Sequence, residues 1–214
     1  MLNILNWNIA GASNKKAALI ATCKTENYDV IVLQETLLRR GNKFKINGYN
    51  VYTTPHEDSN RGLAILVKSS IPVKKITNQI SCGDNVEVLA LKITLQNTSL
   101  EIYNIYRKIT HGSQGDLDLT QLFAHASSTS TLITGDFNAH HPLLSSVSNS
   151  NEAGEHIAQV LDDFQDISIL NNGQATHIRG GRLDLTFISK AIRMLKLEHP
   201  SNTNERSFCY YNKN

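Results

Sequence analysis

Hydrophobic and polar residues alternate along several short stretches of the chain, which is the pattern of β-strands whose two faces differ. In the amino-terminal stretch LNILNWNIA, Leu5, Trp7 and Ile9 fall on one face, and the polar Asn6 and Asn8 fall on the other. The stretch DVIVLQE is instead an almost continuous apolar run, which predicts a strand that is buried on both faces.

Strand-like stretches are mixed with stretches of helical composition along the whole chain. The strand-like stretches are LNILNWNIA, DVIVLQE, LAILVK, VEVLALKITL, LEIYNIYR, STLITGDFN and RLDLTFIS. The helical ones are KKAALIATCKTE, DLDLTQLFAHA with an acidic start, and NEAGEHIAQVLDDFQD. The polar link QNTS predicts a hairpin. Because hairpins and crossovers are mixed, we expect an α/β fold, a two-sheet β-sandwich flanked by helices, rather than a pure βαβ array.

Composition narrows the class of protein without naming a partner. The 214 residues are 40% hydrophobic, which fits one globular domain with a real core. Lys and Arg number 21 against 19 Asp and Glu, a balance that permits a polyanionic partner but does not indicate one. Three cysteines without ligand spacing predict a reducing compartment rather than a disulfide framework. The absence of a signal-like start and of a long apolar run predicts an intracellular protein that is neither secreted nor membrane-bound.

Polar side chains follow four of the predicted strands at the point where each strand ends. They are Asn8, then Gln34 and Glu35, then Tyr106 and Arg107, and finally Asp136 and Asn138. In an extended segment the last two would face the same side while Phe137 faces the core. If the strand ends lie side by side, one rim collects carboxylates, amides, a phenol and a guanidinium. Oxygen ligands favour Mg²⁺ or Mn²⁺, and Arg and Tyr bind phosphate, so the set indicates metal-assisted hydrolysis of a phosphate ester.

Each of these features also has an ordinary structural explanation. GDFN has the composition of a turn, and the Gln-Glu pair is common on surfaces. Tyr106 fits a core aromatic, and Asp184 could pair with Arg182. The pair His140-His141 is interpreted as part of a solvated loop, because no partner lies at zinc-ligand spacing. The functional interpretation therefore depends on the features occurring together and in order.

Six ordered motifs carry a family resemblance. They are LNWNIAG, VLQET, RGLAILV, IYNIYR, LITGDFNAHH and GRLDLTFIS. The set resembles the endonuclease/exonuclease/phosphatase superfamily, which has the deoxyribonuclease-I-like fold. Within it, GDFNAHH followed by GRLDLTFIS is similar to the endonuclease domain of jockey-type non-LTR retrotransposons. The resemblance implies one domain over residues 1–195, with 196–214 as an atypical, truncated tail.

The resemblance also implies a role for each polar residue. Glu35 would be the principal ligand of Mg²⁺ or Mn²⁺, with Gln34 and Asn8 beside it. The substrate phosphate would contact Asn8, Tyr106 and Asn138. Asp136 and Asn138 would align the attacking water, and Asp184 would hold a catalytic histidine in the correct tautomer.

The carboxyl-terminal region departs from the family pattern. Family members carry a Ser-Asp-His motif after the strand that corresponds to RLDLTFIS, whereas this chain reads LEHPSNTNERSFCYYNKN and contains no such triplet. His199 is followed by Pro200, which is unfavourable in a core strand. We therefore expect the final core strand and the catalytic histidine to be missing. General acid–base catalysis contributes ~10²–10⁴ in rate, so we expect impaired activity.

Three functions remain open on the sequence. The favoured one is a Mg²⁺-dependent DNA-nicking endonuclease domain of a non-LTR retrotransposon, nuclear in its action, whose reverse transcriptase domain is absent from these residues. The second is a member of the superfamily that acts on abasic DNA or on a phosphate ester such as an inositol lipid or sphingomyelin, which GDFNAHH disfavours. The third is a non-catalytic remnant that binds metal or nucleic acid, which the missing Ser-Asp-His motif favours.

Overall fold

The computed structural model describes residues 2–54, 61–78, 80–96, 98–109, 117–144, 149–170 and 184–190. These residues form ten strands and three helices. The strands are β1 (Ile4–Asn8), β2 (Val30–Gln34), β3 (Tyr49–Thr54), β4 (Leu63–Lys68), β5 (Val73–Lys75), β6 (Val86–Leu95), β7 (Thr98–Arg107), β8 (Thr131–Asp136), β9 (Ile167–Ile169) and β10 (Asp184–Ser189). The helices are α1 (Lys16–Glu26), α2 (Thr120–Ser127) and α3 (Glu152–Asp163).

The strands form two sheets that pack face to face. The first has the order β1-β2-β4-β3, and the second has the order β5-β6-β7-β8-β10-β9. Two neighbouring pairs are parallel, β1 with β2 and β7 with β8, and the remaining pairs are antiparallel. This α/β architecture, a two-sheet sandwich flanked by helices, confirms the fold predicted from the sequence.

Apolar side chains fill three layers of core. The layer between the sheets includes Ile4, Val32 and Ile102. On the outer face of the first sheet, Trp7 packs in a second layer with Leu19 of α1. The helices α2 and α3 cover the outer face of the second sheet through a third layer, which includes Ile133, Leu122, Phe123, Ile157, Val160 and Phe187. All five residues of β2 are buried, which confirms that this strand is covered on both faces.

The sequence pattern did not predict the strands that are short or half-exposed. The strand β3 was not predicted because its sequence YNVYTT is mostly polar and only partly buried. The strands β5 and β9 are three residues long, too short for a periodicity to show. The predicted hairpin is present, but β7 already begins at Thr98, so half of QNTS belongs to the strand.

The predicted acidic start of the second helix is wrong. The helix α2 begins at Thr120 and has no acidic residue in its first turn. Asp118 lies just before it, and its Oδ1 accepts a hydrogen bond of 2.9 Å from the backbone N–H of Thr120. The carboxylate therefore satisfies a backbone donor at the start of the helix from outside it.

Several sequence predictions concern residues outside the described ranges. These are the domain boundary at 195, the missing final strand and the tail 196–214, together with Arg182 and His199. They stay predictions. Among the residues that the structure describes, no helix is long and apolar enough to cross a membrane.

Candidate active site

The predicted polar residues meet at one end of the gap between the two sheets. The carboxyl ends of β1, β2, β7 and β8 lie at this rim. Asn8, Glu35 and Asp136 are directly hydrogen-bonded there. In the sheet register, Tyr106 lies beside Asp136 on one side, and Asp184, the first residue of β10, lies beside it on the other. Two sheets thus contribute to one polar site.

Asn8 connects the two sheets at the centre of the site. Its Nδ2 donates to Oε1 of Glu35 and to Oδ2 of Asp136, each at 2.8 Å. The two carboxylate oxygens therefore lie no more than twice 2.8 Å apart. Such a separation is well within reach of a shared metal–water site, whose ligand bonds are ~2.1 Å long.

Backbone strain is concentrated around the site. Ala10, Glu35, Leu37 and Asn138 have φ values of 43°, 50°, 54° and 47°, in the left-handed region that residues other than glycine rarely adopt. The only other non-glycine residue with positive φ among the described ranges ends a helix, at Asn27. Strain of ~1–3 kcal/mol per residue persists only where the surrounding structure enforces it, and it is commonly found at functional sites.

Hydrogen bonds hold the strained turn that carries Glu35. The backbone N–H of Gly11 donates to the carbonyl of Glu35 at 2.8 Å, and the N–H of Thr36 donates to the carbonyl of Gly62 at 2.9 Å. This left-handed turn ends β2 and lets the Glu35 carboxylate reach Asn8 on the neighbouring strand. The orientation of Glu35 is thus fixed by the backbones of two adjacent segments.

Three carboxylates crowd this rim, and their effect is seen at Asp136. The pKa of Asp136 is raised to about 7, mainly by burial and further by the negative charges of Asp184 and Glu35. Hydrogen bonds from Asn8 and from the backbone of Asn138 oppose it. The site consequently favours either a proton or a cation near Asp136.

Tyr106 adds a hydroxyl donor to the site. Burial, followed by the charges of Glu35 and Asp136, raises the pKa of its phenol well above its usual value. The phenol is therefore protonated at any working pH and can donate a hydrogen bond to an anionic group.

The donor set fits a hard divalent cation. Oδ1 of Asn8 is buried and has no hydrogen-bond partner among the described residues, and it lies on the same amide that holds Glu35 and Asp136. Within the described ranges, no group of three His, Cys, Asp or Glu side chains is arranged to hold a metal ion. Mg²⁺ commonly uses only one or two protein carboxylates and fills its shell with water and substrate oxygens, so this set suits Mg²⁺ or Mn²⁺ better than Zn²⁺.

Gln34 lies deeper than the other predicted ligands. Its side chain is fully buried, and its Nε2 donates to Oδ1 of Asn6 at 2.8 Å and to Oδ1 of Asn104 at 2.7 Å. Oε1 of Gln34 is buried without a hydrogen-bond partner in the described part of the chain, so this acceptor atom remains available. Its role as a ligand stays a prediction.

The segment GDFN both forms a turn and contributes residues to the site. Phe137 is fully buried in the outer core, as predicted. The expectation of an extended segment through Asn138 is wrong, because this residue has a left-handed backbone. Its N–H donates to Oδ1 of Asp136 at 3.2 Å, and its Nδ2 donates to the carbonyl of Arg107 at 2.6 Å. His140 and His141 follow in irregular structure, which agrees with a loop, but both are half-buried and Nε2 of His141 lies 3.5 Å from a carboxylate oxygen of Glu155, so the loop is not fully solvated.

Sequence reasoning missed one carboxylate and two amides near the site. Glu87 lies opposite Tyr106 on β6, and its Oε2 accepts a hydrogen bond of 3.1 Å from the N–H of Gly62. Its charge also contributes to the raised pKa of Tyr106. Asn6 and Asn104 form the buried contacts with Gln34. All three lie two residues from an inward-facing position on their strands, so the period-two pattern could have placed them on the inner faces.

Comparisons with known proteins agree with this architecture. The sequence profile of the Endonuclease/Exonuclease/phosphatase family matches residues 5–206. The probable RNA-directed DNA polymerase from transposon BS of Drosophila melanogaster is 24% identical over 164 residues, which are 75% of this chain and 18% of that protein. The chain thus spans less than a fifth of the length of this curated relative.

Solved structures are similar over almost the whole chain. The endonuclease domain of TRAS1, a telomere-specific non-LTR retrotransposon, has a TM-score of 0.71 at 16% identity, covering 98% of this chain and 96% of that one. The AP endonuclease LMAP from Leishmania major has a TM-score of 0.69 at 15% identity, covering 98% and 86%. The human Nocturnin catalytic domain with bound sulfate has a TM-score of 0.66 at 15% identity, covering 98% and 91%. At these identities the likeness shows the fold.

Proposed function

The chain belongs to the endonuclease/exonuclease/phosphatase family, and from that premise we propose that it is the DNA-nicking endonuclease domain of a non-LTR retrotransposon, dependent on Mg²⁺ or Mn²⁺. The motifs GDFNAHH and GRLDLTFIS, together with the similarity to a transposon polymerase and to the TRAS1 endonuclease domain, support the retrotransposon assignment. Action in the nucleus and a reverse transcriptase elsewhere in the element are part of the same proposal.

One observation carries the proposal. Asn8 holds a carboxylate from each sheet at 2.8 Å and keeps its own buried oxygen unpartnered within the described residues. We assign Glu35 as the principal metal ligand, with Oδ1 of Asn8 and Oε1 of Gln34 in support. A bound divalent ion would neutralise charge on the scissile phosphate.

The chain's own residues supply the phosphate contacts and the proton acceptor for the attacking water. Tyr106 donates its phenolic hydrogen to a non-bridging oxygen of the phosphate, and Asn8 and Asn138 help to bind that phosphate. Asp136 accepts a proton from the attacking water while the water oxygen bonds to phosphorus. The bond between phosphorus and the 3′-oxygen breaks, and this oxygen takes up a proton from solvent water to leave a 3′-hydroxyl. The raised pKa of Asp136, due to burial and then to Asp184 and Glu35, suits this proton transfer near neutral pH.

The leaving 3′-oxygen lacks a proton donor assigned by motif in these 214 residues. The family places a Ser-Asp-His histidine next to the carboxylate that corresponds to Asp184, and the chain contains no such triplet. His177, the histidine that precedes the RLDLTFIS strand most closely, lies outside the described ranges. We therefore propose that these residues nick DNA weakly. Addition of a family-like segment with Ser-Asp-His should raise the rate by a factor on the order of 10² or more.

A plasmid-nicking assay with Mg²⁺ and with EDTA tests the proposed reaction. We expect slow Mg²⁺-dependent conversion of supercoiled DNA to the nicked circle, with 3′-hydroxyl ends, and faster conversion with the added segment. Equal nicking rates for the two proteins would show that the missing histidine does not limit the activity. Nicking of abasic DNA alone would favour the second function, and no Mg²⁺-dependent nicking by either protein would favour the non-catalytic remnant.

Calorimetric titration with Mn²⁺ tests the metal site without relying on activity. We expect Glu35→Gln to weaken binding at least ~10-fold, because the variant removes the only charge of the principal ligand. Glu26→Gln is the matched control, since Glu26 is an exposed carboxylate at the end of α1. Equal binding by the Glu35→Gln variant and the unchanged protein would remove Glu35 from this role.

A further inference from the structure

A layer of buried amides lies directly beneath the active site. Asn6 of β1, Gln34 of β2 and Asn104 of β7 are each fully buried. Nε2 of Gln34 donates to Oδ1 of Asn6 at 2.8 Å and to Oδ1 of Asn104 at 2.7 Å. Since β1 and β2 belong to the first sheet and β7 to the second, this chain of hydrogen bonds crosses the gap between the sheets.

Asn104 makes most of the crossing contacts. Its Nδ2 donates to the carbonyl of Leu33 at 2.9 Å and to the carbonyl of Ala64 at 3.1 Å. Leu33 and Ala64 face each other as the last pair in the ladder between β2 and β4. A single side chain of the second sheet thus binds two backbone carbonyls and the Gln34 amide of the first sheet.

The positions of these contacts along the strands connect them to the site. Leu33 precedes the metal-ligand candidate Glu35 by two residues, and Asn104 precedes Tyr106 by two residues. Tyr106 is in turn the register partner of Asp136. Asn104 and Tyr106 both lie in β7, where two residues span ~6.6 Å of stiff backbone, and Glu35 follows directly after the last residue of β2. A change of spacing at the amide layer therefore displaces the residues at the rim above it.

We propose that Asn104 is a positioning residue, whose hydrogen bonds to Leu33, Ala64 and Gln34 set the distance between Glu35 on one sheet and Asp136 on the other. The inference deepens the proposed function, because it takes the site of Glu35 and Asp136 as the metal site. Apolar side chains fill the rest of the gap, and their contacts have no preferred direction. Hydrogen bonds have narrow ranges of distance and angle, so they fix the spacing more tightly.

A second polar pair at the same depth provides the control. The hydroxyls of Thr134 and Thr186 are 2.8 Å apart, and both are buried. Thr134 is the register partner of Asn104, but its bond to Thr186 lies between β8 and β10 of the same sheet. Loss of this bond removes a buried polar contact without removing a link across the gap.

The test compares Mn²⁺ affinity and stability in three variants. Asn104→Leu keeps a branched side chain of similar shape and removes all the side-chain hydrogen bonds of Asn104. Asn104→Gln keeps the amide group but displaces it by one methylene. Thr134→Val is the control. We expect both Asn104 variants to bind Mn²⁺ about 10–100-fold more weakly in calorimetry, the range known for residues that orient metal ligands. Thr134→Val should bind within about twofold of the unchanged protein, although urea unfolding shows a loss of stability in all three.

A readout without metal keeps the inference separable from the proposed function. In NMR spectra of the metal-free protein, the Nδ2 hydrogens of Asn8 should be protected from exchange, since both are donated to carboxylates. We expect this protection to fall at least ~10-fold in Asn104→Gln and to persist in Thr134→Val. A tenfold fall corresponds to a decrease of about 1.4 kcal/mol in the free energy of local opening.

The outcomes divide as follows. If the unchanged protein binds Mn²⁺ and the folded Asn104 variants bind it equally well, the inference is overturned while the proposed function stands. If the unchanged protein binds no Mn²⁺, the proposed function fails, and the Asn8 protection alone decides whether Asn104 sets the spacing. Unchanged Asn8 protection in Asn104→Gln overturns the inference in either case.

Discussion

Replacement of Asp136 by asparagine should stabilise the metal-free protein at pH 8. Burial, reinforced by Asp184 and Glu35, raises the pKa of Asp136 from 3.8 to about 7 in the folded protein. In the folded state the Asp136 carboxyl therefore keeps its proton over a range of pH in which the same group has lost its proton in the unfolded state. The stability that this proton provides is present at low pH and is lost as the pH rises from about 4 to about 7.

The magnitude follows from the size of the pKa shift and from the two hydrogen bonds of the carboxylate. A shift of about three pKa units corresponds to about 4 kcal/mol at pH 8. Asparagine has one oxygen, so it keeps only one of the bonds donated by Asn8 and by the backbone of Asn138, at a loss of about 1–2 kcal/mol. We expect Asp136→Asn to gain about 2–3 kcal/mol at pH 8 and close to nothing at pH 5.

Urea unfolding in EDTA at pH 5 and pH 8 measures the difference. Asp163→Asn serves as the control for the loss of a carboxylate, because Asp163 is exposed on α3. The decisive quantity is the change in the advantage of Asp136→Asn between pH 5 and pH 8, which should be about 2–3 kcal/mol. An advantage that differs by less than about 0.5 kcal/mol between the two pH values would refute the argument from burial and charge crowding.

Three further predictions concern the strands and loops around the site. Gly135→Ala should lower the free energy of unfolding in urea by more than about 3 kcal/mol, since an added Cβ would collide with the carbonyl of Ile105. Gly48→Ala, with open space around the added Cβ, should lower it by only about 1 kcal/mol. Equal losses in the two variants would contradict the packing argument. Asn151→Ala should lower stability by about 1–2 kcal/mol, because this residue caps α3 at Gly154; no loss in urea would show that the cap is dispensable. Tyr106→Phe should slow plasmid nicking at least ~10-fold while leaving Mn²⁺ affinity within about twofold, and an equal loss of both would place the phenol in the metal site instead.

Strand-end polarity was sufficient to predict which polar side chains meet at one rim. The stretches that carry Asn8, Glu35, Tyr106 and Asp136 are mostly apolar, and each ends in these polar residues. Parallel or neighbouring strands bring those ends together. Asp184 begins its strand rather than ending it, and the antiparallel register places it beside Asp136. Its association with the others came from the family motif and not from the strand-end pattern.

Details of the site that depend on contacts between distant strands could not be predicted. The amide of Asn104 reaches two carbonyls of the other sheet, and nothing in YNIYR encodes which strand lies opposite. The left-handed backbone of Glu35 and Asn138 is also a property of the assembled structure, although asparagine tolerates that conformation better than most residues. Local pattern therefore predicted the faces of the strands, while tertiary contacts decided the final orientation of the polar side chains at the rim.

The hydrogen bond between Asn8 and Asp136 joins residues that are 128 positions apart in the chain. During synthesis the first two strands leave the ribosome long before β8, so the Glu35 carboxylate exists for some time without the partner sheet that completes its surroundings. Contacts of such high sequence separation form late and slowly, because a long loop must close before they can contribute. Under the proposed function, a nascent chain should accordingly be unable to bind a divalent ion until the second sheet has folded. The proposed nuclease would then stay inactive while the chain is being made.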